Sequence, residues 1–236
     1  MQRTLFNTPV VNTVLKAFSV GFLKLAGWKV EGSLPPGCEK CVFIAAPHTS
    51  NWDLPYTLMV AFALGLQVRW MGKSSLFRFP FGGVMRWLGG IAVNREQSTN
   101  LVAASAQSIC AAQEPLQLIV PPEGTRSKTR YWKTGFYYIA LQAQVPIVMA
   151  YMDYPRKLSG LGPLFYPTGD IEKDMVAIKA LRLDRGLDHP RNSPEEGTLV
   201  FKLKTGGDFV TSAPMLMRKM HRVNADLGDK GSYHTD

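Results

Sequence analysis

The sequence predicts an α/β fold: a mainly parallel central sheet flanked by helices, preceded by an amphipathic helix. Three observations carry this. Short apolar runs alternate with longer helical segments between residues 41 and 151. Clusters of Gly, Pro and polar residues punctuate them. The 236 residues, 46% hydrophobic and 19% charged, suffice for one substantial core and exclude disorder across the whole chain.

Residues 10–28 place Val11, Leu15, Phe18, Phe22 and Leu25 at helical spacing, with Lys16 and Lys24 elsewhere on the wheel. Such a helix either packs on the protein's own core or lies in a membrane interface. A strand follows at 41–47, then a strongly apolar helix at 54–66 and a short strand at 68–71. Phe77, Phe79, Phe81, Val84, Met85, Trp87 and Leu88 form an aromatic-rich stretch bearing Arg78 and Arg86. It reads equally as core packing and as a surface for bilayer or acyl chain. A strand at 91–93 ends at Asn94-Arg95; an Ala-rich helix at 98–113 is closed by Pro115. Residues 116–120 form a strand, 121–127 a loop, 136–144 a helix and 146–151 a strand. The helix at 170–181 starts from Thr-Gly-Asp, which suits an N-cap. Beyond 184 the pattern fades to one apolar segment (198–203) and one short helix candidate (215–221), and 224–236 is predicted to be disordered. The chain thus divides into an amphipathic segment (1–30), a central domain (31–184) and a partly irregular extension (185–236).

Two loops carry the chemistry. His48 to Asp53 reads HTSNWD, directly after the apolar run that ends at Pro47. A histidine at a strand-to-helix junction, with a carboxylate about one helical turn on, can act as a general base near neutral pH. Ser50 and Asp53 also fit a capping box, and the six residues leave both readings open. Glu123-Gly124-Thr125-Arg126 follows another apolar strand. In a parallel sheet the loops at the carboxyl ends of strands converge on one crevice. Lys73, Arg95 and Arg126 all stand just past strand candidates, so they are expected to gather around His48 and to suit an anionic substrate.

Charge agrees. The formal net charge is +9, and residues 1–135 hold 14 Lys/Arg against 6 Asp/Glu. Such a field attracts anionic lipid surfaces, phosphorylated substrates or nucleic acid. No nucleic-acid-binding signature or basic block accompanies it, so no nucleic-acid partner is expected. Three cysteines exclude a disulfide framework; Cys38 and Cys41 have CxxC spacing without a second pair and read as ordinary cysteines at a strand start. Lys16 and Lys24 interrupt the N-terminal apolar residues, so no secretory signal is expected. Residues 134–152 carry no charge, but Gly135, Gln142, Gln144 and Pro146 break them, and no transmembrane helix is predicted.

These blocks resemble the glycerolipid acyltransferases, the lysophosphatidic acid acyltransferase superfamily, in a small bacterial subfamily with the HTSNWD block. His48 and Asp53 match its HxxxxD block. Gly89 to Arg95 is similar to its second block, Pro122 to Ser127 to its PEGTRS block, and Val145 to Val148 to its fourth. Pro47 stands where the family usually has Asn, which bears on the acceptor rather than on the chemistry. The resemblance implies a membrane-associated enzyme at the cytoplasmic face, peripheral, that moves an acyl group from acyl-CoA or acyl carrier protein to a lysolipid hydroxyl, without cofactor or metal. It implies His48 as base, Asp53 as its orienting partner, and Lys73, Arg95 and Arg126 on the acceptor's phosphate. Glu123, Gly124 and Thr125 would shape the acceptor loop, or Glu123 would pin Arg126 or Arg95. Two alternatives are a non-catalytic lipid-binding protein on the same scaffold and a metal-dependent hydrolase. The latter lacks a plausible ligand set, since His189, His221 and His234 lie in weakly patterned segments.

Overall fold

Successive residues of a strand face opposite ways, and this alternation sorts the core into two halves. Val42 and Ile44 join one buried cluster, Cys41 and Phe43 the other. A strand covered on both faces needs a continuous apolar run, which is what residues 41–44 supply.

The computed structural model describes residues 3–45, 52–93, 98–123, 131–184, 198–202 and 208–212. Its elements run α1 (Pro9–Leu25), β1 (Lys29–Glu31), β2 (Lys40–Ala45), α2 (Asp53–Leu64), β3 (Val68–Lys73), α3 (Gly82–Trp87), β4 (Gly90–Val93), α4 (Ser98–Ala111) and β5 (Leu116–Val120). They continue with β6 (Tyr131–Trp132), α5 (Gly135–Ala143), β7 (Ile147–Asp153), β8 (Leu158–Phe165), α6 (Ile171–Asp184), β9 (Thr198–Lys202) and β10 (Asp208–Ser212). Short 3-10 turns occupy Leu5–Asn7 and Ser74–Phe77.

Seven strands form the main sheet in the order β1-β8-β7-β2-β5-β3-β4. β2 lies between β5 and β7 and is parallel to both; β3 and β4 extend the parallel set beyond β5. β8 pairs antiparallel with β7 and parallel with β1, so these two strands run opposite to the other five. A smaller sheet joins β6, β9 and β10. The predicted α/β class with a mainly parallel sheet is therefore what the chain adopts.

One face of the sheet is covered by α4, α5 and α6, through Ile109, Phe136, Ile139 and Met175. The other carries Leu5, Phe6, α1, α2, the Ser74–Phe77 turn and α3. α1 starts with Pro9 at its first position and ends three residues short of the predicted boundary, ahead of Gly27 in a left-handed conformation (φ 78°). Its inner stripe, Leu15, Ser19 and Leu23, faces the body; Val10, Val14, Phe18, Phe22 and Leu25 stay exposed, with the Phe18 and Phe22 rings 6.0 Å apart. The apolar residues that predicted one buried face thus belong to two, only one of them covered.

Four strands had no sequence signal. β1 is a three-residue edge strand with no apolar run, and β6 has only two residues. β8 contains Gly160, Gly162 and Pro163, which ordinarily argue against a strand; its place beside β7 makes it one. β10 lies where the periodicity fades and pairs with β9, which occupies the apolar segment noted at 198–203. The helix candidate at 215–221 and the tail at 224–236 lie outside the described residues. Cys38 and Cys41 are buried and unbridged, and burial pushes the Cys41 thiol up.

Asp174 on α6 is buried and accepts three hydrogen bonds: from the Tyr137 hydroxyl at 2.8 Å, the Thr168 hydroxyl at 2.8 Å and the Thr168 N–H at 2.6 Å. Asp170 caps the same helix, its Oδ1 taking the Lys173 N–H at 3.2 Å, as the Thr-Gly-Asp start predicted. Burial raises the Tyr137 phenol, which therefore remains a donor. Tyr137→Phe leaves a buried carboxylate short of one donor and should destabilise the fold by about 1–3 kcal/mol, read as a lower urea midpoint at unchanged slope.

Candidate active site

Parallel pairing puts the carboxyl ends of β7, β2, β5, β3 and β4 along one edge of the sheet, in that order. Four segments flagged by the sequence leave from this edge. Asp53 opens the helix that follows β2, Glu123 lies three residues past β5, Lys73 is the last residue of β3, and β4 ends at Val93 just before Asn94-Arg95. The topology thus brings the three described site residues to neighbouring strand exits.

Asp53 is 9% exposed, little for a carboxylate at a helix start. It is the first residue of α2 and sits where the helix dipole favours negative charge. The N-cap is Trp52, which makes no side-chain capping bond, and Ser50, the other half of the capping-box reading, lies outside the described residues. Asp53 Oδ1 accepts the Tyr154 hydroxyl at 2.8 Å. Tyr154 directly follows β7, on the strand next to β2. Its ring stands edge-on to Trp28 and Tyr56, with centroids 5.4 Å and 5.7 Å away, and Trp28 and Tyr56 are 4.8 Å apart. Desolvation, then the bond to Asp53, pushes the Tyr154 phenol up, so it stays protonated and donates across the physiological range.

Glu123 is 7% exposed, and its turn is tied back by the Lys133 N–H to the Pro122 carbonyl at 2.7 Å. Lys73 is exposed. His48, Arg95, Gly124, Thr125 and Arg126 lie outside the described residues. No sequence pattern flagged Tyr154, although its position, one residue past a parallel strand at the same edge, is the signal that singled out Lys73.

A family model described as "Acyltransferase" matches residues 28–153, just over half of the chain. The chain belongs to the acyltransferase family. Its 1-acyl-sn-glycerol-3-phosphate acyltransferase relatives include that of Haemophilus influenzae, 31% identical over 134 residues, covering 52% of this chain and 53% of the relative. Those of Escherichia coli, 31% identical over 132 residues, and of Borreliella burgdorferi, 33% identical over 132 residues, each have 52% of their length covered. The chain spans about half the length of the curated relatives it matches. The crystal structure of the 1-acyl-sn-glycerophosphate (LPA) acyltransferase PlsC from Thermotoga maritima superposes with a TM-score of 0.51 at 19% identity, covering 75% of this chain and 78% of that one. That likeness supports the fold. The match at 28–153 holds every predicted site residue and stops one residue before Tyr154.

Removing the Tyr154 hydroxyl withdraws a donor from a nearly buried carboxylate. Tyr154→Phe should lower stability by about 1–3 kcal/mol at neutral pH, measured by chemical unfolding. Tyr56→Phe, whose hydroxyl has no recorded bond to Asp53, is the control and should change it by less.

Proposed function

We propose that this chain is a membrane-associated O-acyltransferase that moves an acyl group from a thioester, acyl-CoA or acyl carrier protein, to the free hydroxyl of a lysophospholipid such as 1-acylglycerol-3-phosphate. The observation that carries the reading is Asp53: a nearly buried carboxylate at the exit of the central parallel strand, five residues after His48, within the acyltransferase-matched region. The names of the relatives supply the acceptor class.

In the reaction, the His48 imidazole takes the proton of the acceptor hydroxyl as its oxygen attacks the thioester carbonyl. The tetrahedral intermediate collapses with cleavage of the carbon–sulfur bond, and the imidazolium returns the proton to the departing thiolate. Asp53 holds the imidazole tautomer and stabilises the imidazolium, as the carboxylate does in a serine-hydrolase triad. Tyr154, neutral and donating to the same carboxylate, fixes its rotamer. No acyl-enzyme forms, because the substrate's own hydroxyl is the nucleophile. Lys73, Arg95 and Arg126 receive the acceptor's phosphate, and Glu123, Gly124 and Thr125 shape the loop that holds it. No cofactor or metal enters the scheme.

Membrane association is supported by the uncovered stripe of α1, an apolar row flanked by Lys16 and Lys24. No described helix is long and apolar enough to cross a membrane. The attachment proposed is peripheral, at the cytoplasmic face.

Free thiol is released continuously from acyl-CoA only if the chain turns over. With lysophosphatidic acid as acceptor, His48→Ala should cut the rate by about 10²–10⁴-fold, the range for a positioned general base. Its thermal melting should match that of the unsubstituted protein. Near-normal thiol release by His48→Ala would reject the assignment.

A further inference from the structure

Exposed apolar side chains are unevenly shared between the two faces of the sheet. Of the thirteen large ones among the described residues, six are on α1, one is Trp52 ahead of α2, and five are Leu76, Phe79, Phe81, Val84 and Trp87. Only Tyr166 falls outside this set. Among the residues whose exposure is described, the helical layer of α4, α5 and α6 contributes none. Isolated surface apolar residues are ordinary, but a row of this extent on one side is the mark of an interaction surface.

Charge says what the surface faces. Residues 1–30 contain Arg3, Lys16, Lys24 and Lys29 and no acid. Residues 54–95 contain Arg69, Lys73, Arg78, Arg86 and Arg95, again with no acid. Apolar segments that carry cations and no acid of their own complement an anionic bilayer, where each basic residue near the surface adds about 1 kcal/mol.

The segment from the 3-10 turn Ser74–Phe77 through α3 is independent of α1 in sequence, and it leaves the sheet at Lys73, at the edge that carries Asp53. It is anchored from inside. Phe77 is buried, with its ring 5.9 Å from Trp70, and the Trp70 indole donates to the Leu88 carbonyl at 2.9 Å. Gly72 and Gly90 permit this packing, since a Cβ on either would lie 2.6–2.8 Å from Trp70 or Phe77 ring atoms. On this rigid base Phe79 projects outward, 98% exposed, followed by Phe81, 65% exposed.

We propose that residues 76–87 form a second bilayer contact, in which Phe79 and Phe81 enter the apolar zone of an anionic leaflet and Arg78 and Arg86 meet its headgroups. This rests on the acyltransferase reading for its purpose: a wedge beside the catalytic edge holds the site against the leaflet from which a lysolipid must come. α1 fixes the protein to the surface, and the wedge sets which edge of the sheet faces the lipid.

The test is flotation of the full chain with phosphatidylcholine vesicles, with and without phosphatidylglycerol, for the unsubstituted protein, Phe79→Ser/Phe81→Ser and Phe18→Ser/Leu25→Ser. Thiol release is read in parallel from a short-chain lysophosphatidic acid kept below its micelle threshold. Each double variant should lose about 10–100-fold in partition to phosphatidylglycerol vesicles, the range for withdrawing one or two aromatic or aliphatic side chains from an apolar phase. The combined variant should lose both increments. Phe79 is almost fully exposed, so melting should be unchanged, and thiol release from the monomeric acceptor should persist in Phe79→Ser/Phe81→Ser. Unaltered partition of that variant overturns the proposal. So does a shift in its monomer–dimer equilibrium with flotation intact, which would make the patch a contact between copies of this chain. Absence of thiol release from the unsubstituted protein, with the partition losses as stated, rejects the catalytic reading and leaves the membrane contact standing.

Discussion

A carboxylate withdrawn from water must be held by donors, and at Asp53 that requirement ties two strands of the sheet to one helix. The backbone at the start of α2 favours negative charge there, and the Tyr154 hydroxyl arrives from the end of β7, on the strand beside β2. Tyr154 is in turn confined by Trp28 and Tyr56, which tilt against each other and meet its ring edge-on. The Asp53–Tyr154 bond is therefore held by packing among Trp28, Tyr56 and Tyr154. Long side chains with free rotamers would make a poor orienting carboxylate; a short one clamped from two sides makes a good one.

Much of this was legible from residue order. β2 and β7 announced themselves through continuous apolar runs, because a strand buried on both faces has no polar side to show, and β3, β4 and β5 through shorter, mostly apolar segments between turn residues. Their common polarity, and the placing of Asp53, Glu123 and Lys73 at adjacent exits, followed from the topology rule for such sheets. What escaped was everything defined by pairing alone. β8 is rich in glycine and proline, and β1 has a single apolar residue; both are strands because a neighbour offers hydrogen bonds. Tyr154 escaped for a related reason. Its partner is 101 residues away, and no local periodicity encodes such a contact.

The capping question shows how a motif can carry two physical meanings until the helix boundary is known. Ser-x-x-Asp is a capping box only if the helix begins just after the serine. Here α2 starts at Asp53 and one carboxylate oxygen accepts from Tyr154, just past β7, while Ser50 lies outside the described residues. The amphipathic segment at 10–28 likewise serves two purposes. One row of apolar residues built the helix's contact with the body and a second was left over, a division that a single helical wheel merges into one broad arc.

Leu5, Phe6 and Leu23 are among the most buried side chains of the chain, although all three precede the region matched to the acyltransferase family. α1 is thus a plank nailed to the body on one side and bare on the other. Any surface that grips the bare side raises the free energy needed to peel the plank away, because the helix must release that surface before it can leave Phe62 and Val60 uncovered. Attachment and folding would then be thermodynamically linked: a chain so held should be harder to unfold than a free one.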